Sequence, residues 1–441
     1  MRIAPRIGKC WLPPATVGVA RARSGRKRSA TNSLPASAGL LVGAIVTIGS
    51  PAIEVQDVPP IRQLGAVTAA VADTVGANLT VRVLRGGAVL VNDMSRHRLT
   101  LYDSSLRAGR LILDSSGSAV RLYGSGYHNG LLAIAGDSTL FLDNAARAAL
   151  VIAPSGAIAR VTSFPWGPEA NPTLDAAAGI ANGSLAYTGL PPRIEVPVLG
   201  SDQPQSAESD SAPLIRLNLA TRRADTLTTM KVGQGPVKYS RIMDTAGYVW
   251  SSNTQNPIIA LDAWALLSDG TVAVVRTSDY HVDWFKSDGT RIATPPMAHD
   301  WHRLTDSEKV ALLDSVRRYR VTHPGMQTGR LLSGDGPPKT RSWVPDFIAA
   351  EELPDYLPPF TRQFRPAAGA FADADDNIWV QERPVASIDG GPVFAVISRA
   401  GVLVDRVQIP GGTSIAGFGP GVVFLQGRMG ASGSLARARI R

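Results

Sequence analysis

Ala263-Trp-Ala-Leu-Leu267, Ser268-Asp-Gly270, Thr271-Val-Ala-Val-Val275, Val282-Asp-Trp-Phe285, Ser287-Asp-Gly289 and Thr290-Arg-Ile292 follow one another between positions 263 and 292. Short apolar runs rich in Val, Trp and Phe alternate here with Ser-Asp-Gly turns. No helical period fits them. Runs of this kind, with turn residues at roughly eight- to twelve-residue spacing, predict four β-strands joined as a meander.

Outward from this unit the pattern recurs. Before it stand Thr80-Val-Arg-Val-Leu84, Arg85-Gly-Gly87, Ala88-Val-Leu-Val-Asn-Asp93 and Arg98-Leu-Thr-Leu-Tyr-Asp103. Leu131–Ala135, Thr139–Asp143, Ala149–Ala153 and Ala157–Val161 make a second copy. A degraded third runs through Ala178–Ala181, Ser184–Tyr187, Leu214–Asn218 and Ala224–Leu227. After it come Gly369–Ala372, Asn377–Val380, Val393–Ile397 and Val402–Val404, then Thr413–Phe418, Val422–Leu425 and Leu435–Ile440.

Four strands per unit is the pattern of a β-propeller blade. The sixth unit stops at its third strand, and Ile61-Arg-Gln-Leu-Gly-Ala-Val67 stands alone before the first. A ring without exposed edges follows if that stretch completes the last blade. The expected fold is all-β: a six-bladed β-propeller of four-stranded antiparallel blades, closed by an N-terminal strand, with a helical insertion after blade four. Ala88-Val-Leu-Val-Asn-Asp93, Arg98-Leu-Thr-Leu-Tyr-Asp103 and Asp375-Asp-Asn-Ile-Trp-Val380 resemble the six-bladed, NHL-like propeller proteins exported by many bacteria. The likeness spans roughly residues 60–441 as a pattern.

The net charge of +9 suggests nucleic acid until it is located. Arg2, Arg6, Lys9, Arg21, Arg23, Arg26, Lys27 and Arg28 account for eight of the nine, and no acid precedes Glu54. The rest of the chain is nearly neutral, which removes the case for a polyanion-binding surface. The apolar run 38–48 follows the basic stretch and ends in Gly49-Ser-Pro-Ala52. This is a secretory signal pattern, with cleavage expected after Ala52 and a propeller domain over 53–441. Cys10, the one cysteine, falls inside the removed segment. The mature chain is therefore expected in the periplasm or outside the cell, without disulfides, Cys-ligated metal or a transmembrane anchor.

Two insertions interrupt the repeats. The polar stretch 201–211 reads as a disordered loop in blade three. The other covers about 299–360: a helix over 304–320 with the capping box Thr305-Asp-Ser-Glu308, then a Pro-rich return. Val310, Leu312, Leu313 and Val316 form its apolar side, which should dock on the ring.

Asp93, Asp103, Asp143, Asp269, Asp288 and Asp376 end strands or sit in turns and read as turn-shaping acids. The densest polar and aromatic group is Arg276-Thr-Ser-Asp-Tyr280-His281-Val-Asp283-Trp284 with His299-Asp300-Trp301-His302. Imidazole beside carboxylate suits a divalent metal or acid–base work. The plainer reading, a hydrogen-bonded patch beneath the inserted helix, is preferred. Arg276, Tyr280, His281, Asp283, Asp300, Trp301 and His302 are the ligand-site candidates, with Arg276 meeting an anionic or carbonyl group and Tyr280 and Trp301 as walls. No nucleophile elbow, phosphate loop or His-Glu-x-x-His occurs.

The expected function is thus non-catalytic binding of a protein, peptide or glycan on one ring face by a monomer, without a cofactor. The alternative is a metal-dependent propeller hydrolase of the lactonase or esterase kind. That group's pattern calls for Glu at the start of the first blade and Asn and Asp on innermost strands. Glu54 precedes the blades and Asn92 lies on a second strand, so the ligand set does not carry over.

Overall fold

The computed structural model describes residues 57–115, 123, 130–143, 148–163, 177–181, 183–199, 201–233, 239–331, 336–361, 369–383, 390–429 and 432–441. The expected signal segment and cleavage site, with Cys10 and Glu54, lie outside the described residues.

Four strands in sequence order form each of the first four meanders. Sheet 1 is Leu79–Val83, Val89–Asp93, Arg98–Tyr102 and Gly109–Leu113. Sheet 2 is Gly130–Ala133, Thr139–Asp143, Ala148–Ile152 and Ile158–Ser163. In sheet 3, Ala177–Ala181, Ser184–Thr188, Ser211–Asn218 and Ala224–Lys231 pair in that order. Sheet 4 is Ala263–Leu266, Val272–Arg276, His281–Phe285 and Arg291–Ala293. Sheet 5 has Ala370–Ala372, Ile378–Gln381, Val393–Ile397 and Leu403–Gln408, with Ile61–Gln63 added in parallel at its edge. Sheet 6 has Thr413–Gly419, Val422–Met429 and Ser432–Arg439, with Val67–Ala70 antiparallel to the last.

The N-terminal stretch therefore differs from expectation in detail. Residues 61–63 leave for sheet 5, tied by Arg62 to Asp405, and the strand on sheet 6 starts at Val67. Gly65, between them, sits so close to Arg439 that a Cβ there would lie 2.8 Å from the Arg439 carbonyl oxygen.

Apolar clusters lie between consecutive sheets. Leu90, Leu99, Phe141 and Leu150 join sheets 1 and 2, and Leu142, Ala149, Leu185 and Leu217 join 2 and 3. Ala186, Leu214, Trp264 and Val274 join 3 and 4; Val275, Val282, Ile378 and Val380 join 4 and 5. Trp379, Phe394, Val423 and Leu425 join 5 and 6, while Val91, Tyr102, Phe424 and Leu435 bring sheet 6 onto sheet 1. The first strands of sheets 1 to 5 lie side by side in order, while Phe371 and Phe418 join the first strands of sheets 5 and 6 at 5.8 Å, and Thr413–Gly419 lies beside Leu79–Val83. At that contact a Cβ on Gly417 would stand 2.7 Å from the Val81 side chain, which is why a glycine sits there. Meanders stacked face to face with their first strands together are the architecture of a β-propeller.

A seventh sheet was not foreseen. Its order is Ser201–Glu208, Arg193–Leu199, Tyr239–Met243, Tyr248–Asn253, Gly325–Leu331 and Lys339–Trp343. The stretch expected to be a disordered loop is thus a strand, paired from Glu208 to Ser201 with Arg193–Val198. A backbone ladder needs no apolar side chains, so composition alone misled.

The helix, Asp306–Thr322, has the expected capping box: Thr305 Oγ1 accepts from the Glu308 backbone and Glu308 accepts from the Thr305 backbone. It buries Leu313 and Lys309 rather than Val310, which is half exposed. Leu313 packs with Ile258, Leu304 and Leu353, and Lys309 reaches Asp355 at 2.8 Å. No described helix is long and apolar enough to cross a membrane.

Deleting residues 57–70 strips one strand from sheet 5 and one from sheet 6 and leaves both edges open. The expected outcome is aggregation and a fall in melting temperature of more than about 5 °C, read by size-exclusion chromatography and thermal unfolding. A truncated chain that stays monomeric with its melting temperature intact would show these strands to be dispensable.

Candidate functional site

The seven candidates fall into three groups rather than one. Arg276 ends the second strand of sheet 4, and all three nitrogens of its guanidinium donate within the protein. Nε donates to Asp283 at 2.9 Å, one terminal nitrogen to Asp262 and the Thr229 carbonyl, both at 2.8 Å, and the other to Thr228 Oγ1 at 2.7 Å. Asp262 also accepts from the backbone of Lys231 and Thr277. Asp283 is 1% exposed; burial pushes its carboxyl up, but Arg276 and Arg291 outweigh that and hold it below the ordinary range. His281 pairs with Asp279 at 2.7 Å and reaches the knot through Asp283, 3.6 Å from its other ring nitrogen. The knot fastens sheet 3 to sheet 4 and leaves Arg276 occupied by protein acceptors.

Tyr280 points away from that knot. It is left-handed at φ 52, 1% exposed, and packed in the core between sheets 4 and 5. Burial pushes its phenol well up, so it stays protonated. Its ring meets Phe360 and, edge-on at 5.4 Å, His299. His299 stands edge-on to Trp301 at 5.1 Å, and Trp301 to Tyr356 at 6.3 Å. An aromatic ladder thus climbs from the core to solvent, where Trp301 is 37% and Tyr356 48% exposed. Asp300 lies exposed beside it. His302 forms the third group, 3.1 Å from Glu308 at the start of the helix.

Glu382 and Arg406, which sequence reasoning missed, complete the base of the ladder. Arg406 clasps Glu382 with two bonds of 2.8 and 2.7 Å, and Tyr280 and Asp300 are within electrostatic range of it. Both belong to sheet 5, far along the chain, and no local signal links them to His299. Burial lowers the His299 imidazole, against the pull of Glu382 and Asp300, so the ring is neutral at pH 7. Its nitrogens meet no hydrogen-bond partner among the described residues. The arrangement offers a neutral imidazole, two exposed aromatic rings and a paired Glu–Arg floor. That set suits binding of a ligand with flat and polar parts.

Four of the six turn acids accept backbone N–H groups in the expected way. Asp93 accepts from Gly76 and Arg96, Asp103 from Arg107, Asp269 from Thr271 and Asp288 from Thr290. Asp376 instead reaches across to Ser268 of sheet 4. No three His, Cys, Asp or Glu side chains among the described residues are grouped as metal ligands.

No protein-family model and no curated protein matches the sequence. Among solved structures, a gluconolactonase from Xanthomonas campestris is 14% identical, with 86% of this chain and 97% of that chain covered at a TM-score of 0.37. A streptogramin B lyase is 10% identical, covering 84% and 96% at 0.32. Virginiamycin B lyase from Staphylococcus aureus is 9% identical, covering 86% and 99% at 0.35. At such values the likeness carries nothing about chemistry.

Two outcomes follow from the geometry. Arg276→Met leaves the buried Asp283 short of its main partner and should cost about 3–5 kcal/mol in urea unfolding; a loss below about 1 kcal/mol would make the knot unimportant. Because the His299 pKa is depressed on folding, the unfolded chain takes up a proton the folded one does not. Its contribution is therefore complete above about pH 6.5 and declines as pH falls through that value. Melting temperatures of His299→Gln should fall less steeply than those of the parent between pH 7.5 and 5.5. Parallel profiles would contradict this.

Proposed function

We propose that the chain is an exported six-bladed propeller, closed into a ring, whose insertion end binds a protein, peptide or glycan without catalysis. Six meanders with six shared cores, the last on the first, support the count and the closure. Export rests on the basic, apolar and small-residue succession of residues 1–52. The mature protein works as a monomer and needs no cofactor.

One observation carries the binding reading. Trp264 and Trp379 are 0% exposed, Trp250 5% and Trp284 6%, whereas Trp301 is 37% exposed, edge-on to Tyr356. A large aromatic kept in solvent by a built support, here His299, Tyr280 and Phe360, is the usual anchor of a recognition surface. The ligand contacts are Trp301, Tyr356, His299 and Asp300, while Arg276, His281 and Asp283 hold the sheets beneath. Arg276 is thus assigned to support.

Immobilised glycan and peptide libraries, probed with the purified mature chain, should yield ligands. The Trp301→Ala/Tyr356→Ala variant should bind them at least about tenfold more weakly with an unchanged melting temperature. Ligands held equally well by the double variant would place recognition elsewhere.

A further inference from the structure

The turns after the first and third strands of each meander lie at the end away from the insertions. There, at the outer margin between sheets 4 and 5, a cavity of about 620 Å³ is lined by Asp269, Thr271, Trp284, Lys286, Ile292 and Arg399. Its shape is fixed from both sides. Arg399 is ion-paired to Asp269 and lies 3.5 Å from Asp376. In the same turn Gly401, at φ +74, presses on Thr294 so closely that a side chain there would collide with it.

Trp284 is the unusual member. Four described tryptophans are more than nine-tenths buried, and three donate their indole N–H within the protein: Trp250 to Asp244 at 3.0 Å, Trp264 to Thr188 at 3.0 Å, and Trp379 to Asp373 at 2.9 Å. Trp284, 6% exposed, meets no acceptor among the described residues and lines the cavity. Its ring is buried, but its indole N–H is open to the cavity and its solvent, placed to donate to a ligand there. Beside it in the ladder, Ile292 is 44% exposed, an apolar wall left uncovered. The Lys286 ammonium, at the cavity edge, has no carboxylate within ion-pair distance among the described residues.

We propose that this cavity is a saccharide site that takes a sugar carrying a carboxylate. A pyranose ring supplies what the walls lack: an oxygen to accept from the Trp284 indole, C–H faces for Trp284 and Ile292, and hydroxyls for Asp269. A carboxylate on the ring supplies the counter-ion for Lys286. The volume is within the roughly 300–1,000 Å³ of small-ligand pockets. The site lies at the opposite end of the sheets from Trp301 and stands independently of the binding surface proposed there.

Isothermal titration of the mature chain with digalacturonate, and with neutral cellobiose, tests this. Digalacturonate should bind saturably and cellobiose more weakly. Trp284→Phe, which keeps a ring and deletes the N–H, and Lys286→Ala, an exposed change that leaves the core intact, should each weaken digalacturonate by about tenfold. No saturable binding of either sugar, or binding indifferent to both substitutions, overturns the site. Cellobiose binding as tightly as digalacturonate overturns its preference for an acidic sugar.

Discussion

Each meander of this chain is buried on both faces, and most of its sequence answers to that. In sheet 4, Val272 and Val274 enter the core shared with sheet 3, while their neighbours Ala273 and Val275 enter the core shared with sheet 5. In sheet 5, Ile378 and Val380 face one neighbour and Trp379, between them, faces the other. Each such aliphatic side chain contributes about 1.5–3 kcal/mol when removed from water. A strand buried on both sides reads as a continuous apolar run rather than an alternation. Any polar residue placed there must bring its partner. Asp283 does so with Arg276 and Arg291, and Asn92, 0% exposed, accepts from the Tyr123 hydroxyl at 2.7 Å.

That same constraint separates what could be read from the sequence from what could not. The runs and their turns were legible because each is local: Gly270 at φ 85 and Gly289 at φ 90 mark two turns of sheet 4 by residue type alone. The helix start was legible for the same reason, through Thr305 and Glu308. The seventh sheet was not, since Tyr248–Asn253 finds Gly325–Leu331 across the whole of sheet 4 and the helix. Polar density at Arg276, His281 and Asp283 drew attention correctly to a cluster, but only the positions of Asp262, Thr228 and Thr229 show it to be a fastening. Spacing along the chain says that charges are close; it does not say whether they already satisfy one another.

Parity decides where the insertions can meet. In a four-stranded antiparallel meander the links after the second and fourth strands leave from the same end. The hairpin of Arg193–Leu199 and Ser201–Glu208 follows a second strand, and the insertions carrying Tyr239–Asn253 and residues 299–360 each follow a fourth. Three excursions, the first two separated by two strands and the last two by the whole of sheet 4, thus emerge together, and their strands can share one ladder. The opposite end keeps tight turns whose carboxylates are largely spent on backbone N–H groups or on fastening neighbours, as Asp269, Asp288 and Asp376 show.

The helical insertion also has a core of its own. Ile258, Leu304, Leu313 and Leu353 form a cluster distinct from the six between sheets. Among its described buried residues, only Phe360 enters the core of sheets 4 and 5, which also holds Met297, just ahead of the insertion, and Tyr280. Substitutions on the surface of the insertion therefore leave the six shared cores untouched, whereas a change at Phe360 is felt in both. The aromatic ladder rises at this junction, with its lower rungs held by the rigid seam and its upper rungs, Trp301 and Tyr356, on inserted segments. Rigid support below and freely varied side chains above is the physical arrangement by which one scaffold acquires a specific surface without paying for it in fold stability.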